Sequence, residues 1–298
     1  MPLFRIRCPR VGPRLARIIG ALLLAGGLAA CSAVRIAYNS LPEVSYWWLD
    51  SYVDFEAAQT PRVRDALTQL LAWHRQDELP KLAELLRQTR ALAADDVTAA
   101  QACELADAIR ARLLAVAEHT APSGAELVAS LSDAQLAHIE RKHARVNADY
   151  AKAWLDLSRE DQQEKRYEQF LDRSEDFYGR LDPEQRELLR RQAAASMFDP
   201  REVDANRRRH QQEVLALLRR LQGGRLPAAE AQGAIRDYAR RFAQPPAPMR
   251  ERLRAQQEET CRDVAELHNR TSPGQRQKAQ QRLQAYENDV RQLAAAAF

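Results

Sequence analysis

What the chain has little of narrows its reading first. Aromatic residues make up 6% of its 298 positions, glycine occurs 10 times and methionine 3 times. No β-branched residues alternate with polar ones, so strands and a sheet-based core are not expected. Acids are missing from the first thirty positions, where Arg5, Arg7, Arg10, Arg14 and Arg17 are the only charges. The apolar run Ile18–Ala30 stops after 13 residues, short of the roughly 20 that span a bilayer. A nucleophile elbow, a phosphate loop, a dinucleotide glycine pattern and a catalytic Cys–His context are all lacking. His138 and His143 are five apart, about 140° around a helix. Glu140-Arg-Lys-His143 has no second Glu-x-x-His to complete a di-metal bundle site. No catalytic residue, metal or cofactor is expected.

What is there begins with an address. A basic stretch, a short apolar run and small residues before a boundary make an export signal over residues 1–30. The boundary Leu28-Ala29-Ala30-Cys31 matches the lipobox of bacterial lipoprotein precursors. The match implies acylation of Cys31, which becomes the first mature residue; the simpler reading is an ordinary signal ending beside a cysteine. Acyl chains contribute ~0.8 kcal/mol per buried methylene and hold a protein to membrane lipid. Ser32 in place of Asp points, by the sorting convention of Gram-negative lipoproteins, to the periplasmic side of the outer membrane.

Removing the signal also removes the basic surplus. Five of the 45 basic residues lie in 1–30, leaving 40 against 41 acids. Nucleic-acid binding needs excess positive charge to release counterions, so it is not expected. Residues 31–41 read as a lipidated tether and 42–298 as a helical periplasmic domain, with a candidate sub-boundary near 223–224 or 244–248. Cys103 and Cys261 remain after Cys8 and Cys31 are accounted for. In an oxidising compartment they are a candidate disulfide; the alternative is two buried thiols.

Helix starts are legible. Thr60-Pro61, Asp182-Pro183, Asp199-Pro200 and Ser272-Pro273 place a capping side chain before a proline. Thr98–Gln101, Ser123–Glu126, Ser132–Gln135 and Asp182–Gln185 have capping-box spacing. Leu136, Ile139, His143, Val146, Tyr150, Trp154 and Leu157 form a heptad-like stripe. The expected fold is all-α, a multi-helix bundle of about seven to nine helices after a cleaved signal, with a long antiparallel pair or bent helix from about 133 to 198. Leu131–Gln135, Leu181–Gln185 and Thr271–Gln275 share one form, an internal repeat or three independent helix starts.

Six aromatics fall within eighteen residues: Tyr38, Tyr46, Trp47, Trp48, Tyr52 and Phe55. On a helix they make two apolar stripes, and an element apolar on two sides is normally buried on both. The other readings are a belt against the membrane near the anchor or a partner groove. Asp50 and Asp54, four apart, share a helix face. They are a solvated or arginine-matched pair, or the acid–base pair of an enzyme acting on cell-wall material.

The segments CSAVRIAYNSLPEVSYWWLDSYVDFEAAQTPRVRDAL, AWHRQDELP, LSDAQLAHIERKHARVNADY and SPGQRQKAQQRLQAYENDVRQLA resemble a group of Gram-negative lipoproteins defined by a domain of unknown function. The likeness extends over nearly all of the mature chain and implies lipidation without implying catalytic residues. Leu131–Gln135 and Leu181–Gln185 are also similar to the Leu-Thr-x-x-Gln helix starts of the Spy/CpxP periplasmic chaperones. Together these imply a non-catalytic binding, scaffold or chaperone-like envelope factor whose partner is an envelope protein or an unfolded client. The expected contact surface lies on the helices starting at Ser132 and Asp182: Tyr150, Trp154, Tyr167, Phe170, Phe177 and Tyr178, with Arg141, Arg145 and Arg166 supplying charge.

Overall fold

Capping side chains fix most of the helix starts. In the computed structural model, which describes residues 34–247 and 249–296, Thr98, Ser132, Asp182 and Ser272 each accept the backbone N–H three residues on. The glutamine at that third position reaches back to the cap's own N–H. Two orphan donors are thereby satisfied at each start. Ser158 and Asp199 cap two more helices. Two expected starts differ. Ser123 lies inside a helix that begins at Ala121, and its hydroxyl donates to the Thr120 carbonyl. Thr60 is already helical, and its hydroxyl shares a 3.0 Å hydrogen bond with that of Tyr46.

The chain forms two units, Met1–Leu41 and Pro42–Phe298. In the first, residues 34–39 are helical; Cys31 and the export signal lie outside the described residues. All regular structure among the described residues is helical. The helices are α1 (Leu41–Val53), α2 (Thr60–Trp73), α3 (Leu79–Leu92), α4 (Ala99–His119), α5 (Ala121–Ala129) and α6 (Asp133–Tyr150). They continue with α7 (Arg159–Tyr178), α8 (Pro183–Ala195), α9 (Pro200–Leu221), α10 (Ala228–Ala243), α11 (Met249–Asn269) and α12 (Pro273–Ala295).

From Leu41 on, the described residues form twelve α-helices where seven to nine are expected, because short turns divide stretches whose apolar spacing reads as continuous. The chain turns between α1 and α2 at Asp54, a non-glycine residue with φ of +59°. A five-residue π-turn, His74–Glu78, joins α2 to α3, and a second, Ala151–Leu155, extends α6. Segment 133–198 is therefore three helices. α6 lies against α9, whereas α8 packs on α7 and α11. The helices that start at Ser132 and Asp182 also feed different cores. Leu131, Leu136 and Ile139 join Ala125, Leu215 and Leu221 in one cluster. Leu181, Leu188 and Leu189 join Tyr167, Tyr178 and Leu267 in the other.

The repeated Gln starts are more than independent caps. Gln185 pairs with Gln275, side-chain amide to side-chain carbonyl in both directions, at 2.8 and 2.9 Å. Gln135 pairs in the same way with Gln59, at 2.7 and 3.2 Å. Gln59 is a fourth copy: its carbonyl accepts the Glu56 N–H three residues back, as in the capping boxes. Phe55–Gln59 was not legible as a copy because Glu56 stands where the others have Ser or Asp.

Candidate functional site: a groove beside a disulfide

α4, α9, α10 and α11 leave an open groove between them. One part, about 1130 Å³, is lined by Leu113, Leu114, Ile235, Phe242 and Leu253 among others. A second part, about 1550 Å³, continues past Val203, Leu217 and Tyr238. His210, Asn206, Met249 and Pro245 line both. Helical spacing explains why apolar groups face this space. Leu113 and Ala117 sit one turn apart on α4, and α10 carries Ile235, Tyr238 and Phe242 at intervals of three and four. Leu113 is 66% exposed and Phe242 58%. An exposed apolar strip of this kind on a folded domain is unusual unless something covers it.

The groove has a charged rim. Seven arginines and five carboxylates line its two parts. Several are matched in place: Arg110 with Asp107 at 2.7 Å, Arg254 with Glu258 at 3.0 Å, and Arg252 with Glu202. Arg241 and Arg250 make no ion pair among the described residues. Burial, helped by the nearby Glu213 carboxylate, pushes the Tyr238 phenol above its ordinary pKa. The rim favours a partner that carries acids beside apolar groups.

One wall is covalently fixed. Cys103 on α4 and Cys261 on α11 form a disulfide with Cα atoms 5.4 Å apart. Cys103 itself lines the groove. The bond therefore ties together the two helices that flank the exposed Leu113 and Leu253.

The residues singled out from sequence are placed elsewhere. Tyr167 and Tyr178 are buried, and Phe170 and Phe177 pack against the same cluster. Tyr150 donates to the Pro200 carbonyl at 3.1 Å beneath Arg207. Trp154 meets Phe198 edge-on, with Lys165 over its ring. Arg166 stacks on Phe170 and Phe198 and lines a separate, smaller cleft at the α8–α9 junction. Only Arg141 and Arg145 of that set are exposed. The aromatics are drawn inward because α7 and α8 close on each other and on α11 and α12 instead of leaving a concave side. The groove residues escaped notice because they come from four helices, and no one helix carries enough of them to stand out.

The carboxylate pair also separates. α1 ends at Val53, so Asp50 and Asp54 do not share a helix face. Asp50 accepts the Phe55 N–H at 2.9 Å, and Asp54 sits in the turn, 3.8 Å from His138. Glu140 bonds Arg219. Burial holds the His143 imidazole below its usual pKa. Among the described residues no group of three His, Cys, Asp or Glu side chains is placed to hold a metal ion, and no helix is long and apolar enough to cross a membrane.

These features define an all-α, multihelical protein built from paired helix starts, with one open apolar groove beside a disulfide. The chain belongs to the Family of unknown function (DUF6279), whose model matches residues 51–227. That match runs from the end of α1 to the turn after α9, so α10 and α11 lie beyond it. No curated protein and no solved structure matches the chain.

Proposed function

We propose that this protein is a lipid-anchored envelope factor, held through acylated Cys31 on the periplasmic side of the outer membrane, that binds protein segments without catalysis. The occupant of the α4–α9–α10–α11 groove is a stretch of another envelope protein, or of a partly unfolded client, with apolar side chains flanked by acids. The observation that carries the reading is the exposure of Leu113, Phe242 and Leu253 towards one continuous groove. Two features agree with it. Arginines outnumber carboxylates on the rim, which suits acidic flanks. The groove lies where a disulfide joins two of its helices, which suits an oxidising compartment.

The groove reading moves the contact surface away from the aromatics of 150–178, of which Tyr167 and Tyr178 are buried and the others half-buried. An aggregation-suppression assay with the lipid-free domain and an acid-denatured client tests it. Protection at equimolar concentration is expected, with at least a several-fold loss in the Leu113→Ser/Phe242→Ser variant. Both positions are exposed, so the variant should fold normally by circular dichroism. No protection by the wild type, or full protection by the variant, overturns the proposal.

A further inference from the structure

α1 has two faces, and only one of them is used by the fold. Inward, Tyr46 is buried, hydrogen-bonded to Thr60 and stacked on Phe55 at 5.9 Å. Val53 packs against the core cluster around Leu136. Outward, Val44, Trp47 and Trp48 are each 59% exposed. Their spacing of three and four places them on one strip of helix surface. Ser51 falls on the same strip, and its hydroxyl donates to the Trp48 carbonyl at 2.8 Å. The strip thus carries no charge, and its polar groups besides Ser51 are the two indole N–H donors. The acids at its margins are occupied: Glu43 pairs with Arg64 at 2.7 Å, and Asp50 accepts the Phe55 N–H.

We infer that the Val44–Trp47–Trp48 face of α1 lies in the interfacial layer of the membrane to which Cys31 is anchored, as a second, protein-side contact with lipid. This rests on the lipid anchor proposed above. Val44 is 13 positions after Cys31, and a chain of that length spans at most about 45 Å even when fully extended. A thiol acylated at Cys31 therefore keeps this strip within that distance of lipid at all times. Tryptophan is the side chain that best matches the interface, where an apolar ring and a polar N–H are both accommodated. The area argues for lipid over protein. Three such side chains offer roughly 400 Å², about half of what each partner of a standard protein interface buries. The strip also lacks the charges that would select one protein partner, whereas the groove on α4 and α9–α11 has them.

The test uses the mature full chain with Trp73→Phe and Trp154→Phe. The chain has four tryptophans, so Trp47 and Trp48 then supply all of its tryptophan emission. The protein is reconstituted in phosphatidylethanolamine–phosphatidylglycerol vesicles, with or without bromine on the acyl chains. Bromolipid is expected to quench the emission at least about twofold, while aqueous acrylamide quenches it much less than in detergent-free soluble Cys31→Ala. Emission open to acrylamide and insensitive to bromine overturns the inference. Protection from both quenchers means that a protein covers the strip, and overturns it as well. Mass spectrometry of the N-terminus reads the anchor separately. If Cys31 proves unacylated, coupling its thiol to maleimide-headgroup vesicles imposes the same tether, and the same quenching outcomes decide.

Discussion

Gln185 and Gln275 meet head to head where α8 and α12 begin, and each also donates to the backbone carbonyl five residues before the other, Arg270 at 2.8 Å and Arg180 at 3.0 Å. Gln59 and Gln135 repeat the arrangement on Ser130 and Asp54, again five residues back. Each glutamine also accepts a backbone N–H three residues upstream. At Gln135, Gln185 and Gln275 one side chain therefore completes the cap of its own helix, closes the turn of its partner and locks the two starts in register; Gln59 does the last two and holds the turn before α2. Because buried amides must find partners, the four copies specify which helix starts meet.

Removing one member should cost more than a cap. Gln185 is 2% exposed, and Gln185→Ala removes the partner of the Arg270 carbonyl and of the Asp182 N–H and one of the two partners of the Gln275 amide. A loss of about 2–4 kcal/mol is expected from urea denaturation. Gln101 makes the same local box at Thr98 but bonds no other glutamine among the described residues, so Gln101→Ala should cost about 1 kcal/mol. Equal losses at the two positions would show that the pairing adds nothing beyond the cap.

How much of this was legible depended on whether a device was local. Ser132, Asp182 and Ser272 announce their helices because the cap and its glutamine lie three residues apart. The all-α class and the breaks at 223–224 and 244–248 follow from equally local signals. The partner of each glutamine lies 76 or 90 positions away, and no spacing rule reaches that far. The π-turn at 151–155 carries no breaker residue, and Pro61 and Pro80 mark the next helix start without showing where the helix before it ends, so the helix count came out low. Aromatic content alone also gave no sense of direction. Tyr167 and Tyr178 went inside, while Trp47 and Trp48, part of a block expected to be buried on both sides, kept one face outside.

His268 gives the fold an acid limit. It is buried, with Nδ1 3.0 Å from the Tyr178 hydroxyl and Nε2 2.9 Å from the Asp95 carbonyl. A carbonyl only accepts, so Nε2 carries the hydrogen and Nδ1 accepts from Tyr178. Burial lowers the pKa of this imidazole and raises that of Tyr178 to about 12. A folded value below the ordinary 6.5 means that this contribution is complete above pH 6.5 and is lost as pH falls through the folded value. The melting temperature should fall on acidification below pH 6.5, and His268→Gln, which keeps a donor and an acceptor, should flatten that limb. His74 and His143 are lowered by burial too, so the limb should shrink without vanishing. An unchanged limb would mean that His268 keeps its charge equally well folded and unfolded.

Asp263 works in the opposite sense. Burial, with Glu259 and Glu266 nearby and only partial relief from Arg262 and Arg166, pushes its carboxyl up to about 6. The folded state holds this proton more tightly than the unfolded chain does, so the group's contribution is full below its ordinary value near 4 and is lost as pH rises through 6. The shift would amount to about 3 kcal/mol in a dry site, and partial exposure reduces that to about 1 kcal/mol. Asp263→Asn should therefore be more stable than the wild type at pH 7.5 and indistinguishable from it near pH 4. Thermal melts at the two pH values check this, and a variant less stable at pH 7.5 would assign Asp263 a needed ion pair.

The Cys103–Cys261 bond links stability to the groove. It joins positions 158 apart, and closing so long a loop contributes up to about 5 kcal/mol on chain entropy alone, of which about 2–4 kcal/mol is commonly realised. Reduction should lower the melting temperature by roughly 5–15 °C for a domain of this size. The consequence for binding is more specific. α4 brings Leu113 and α11 brings Leu253 to the two sides of the groove, and the disulfide is their covalent link. Without it the helices are held by packing and by the Gln257 side chain, which accepts from Arg110 at 2.7 Å and donates to Asp107 at 2.8 Å, beside the exposed Leu113 and Leu253. Client protection should therefore decline on reduction at temperatures where the fold is still intact by circular dichroism. Cys103→Ala/Cys261→Ala should behave like the reduced wild type, which separates the bond from side effects of the reductant. If protection persists in both until the fold melts, the disulfide serves stability only and the groove keeps its shape without it.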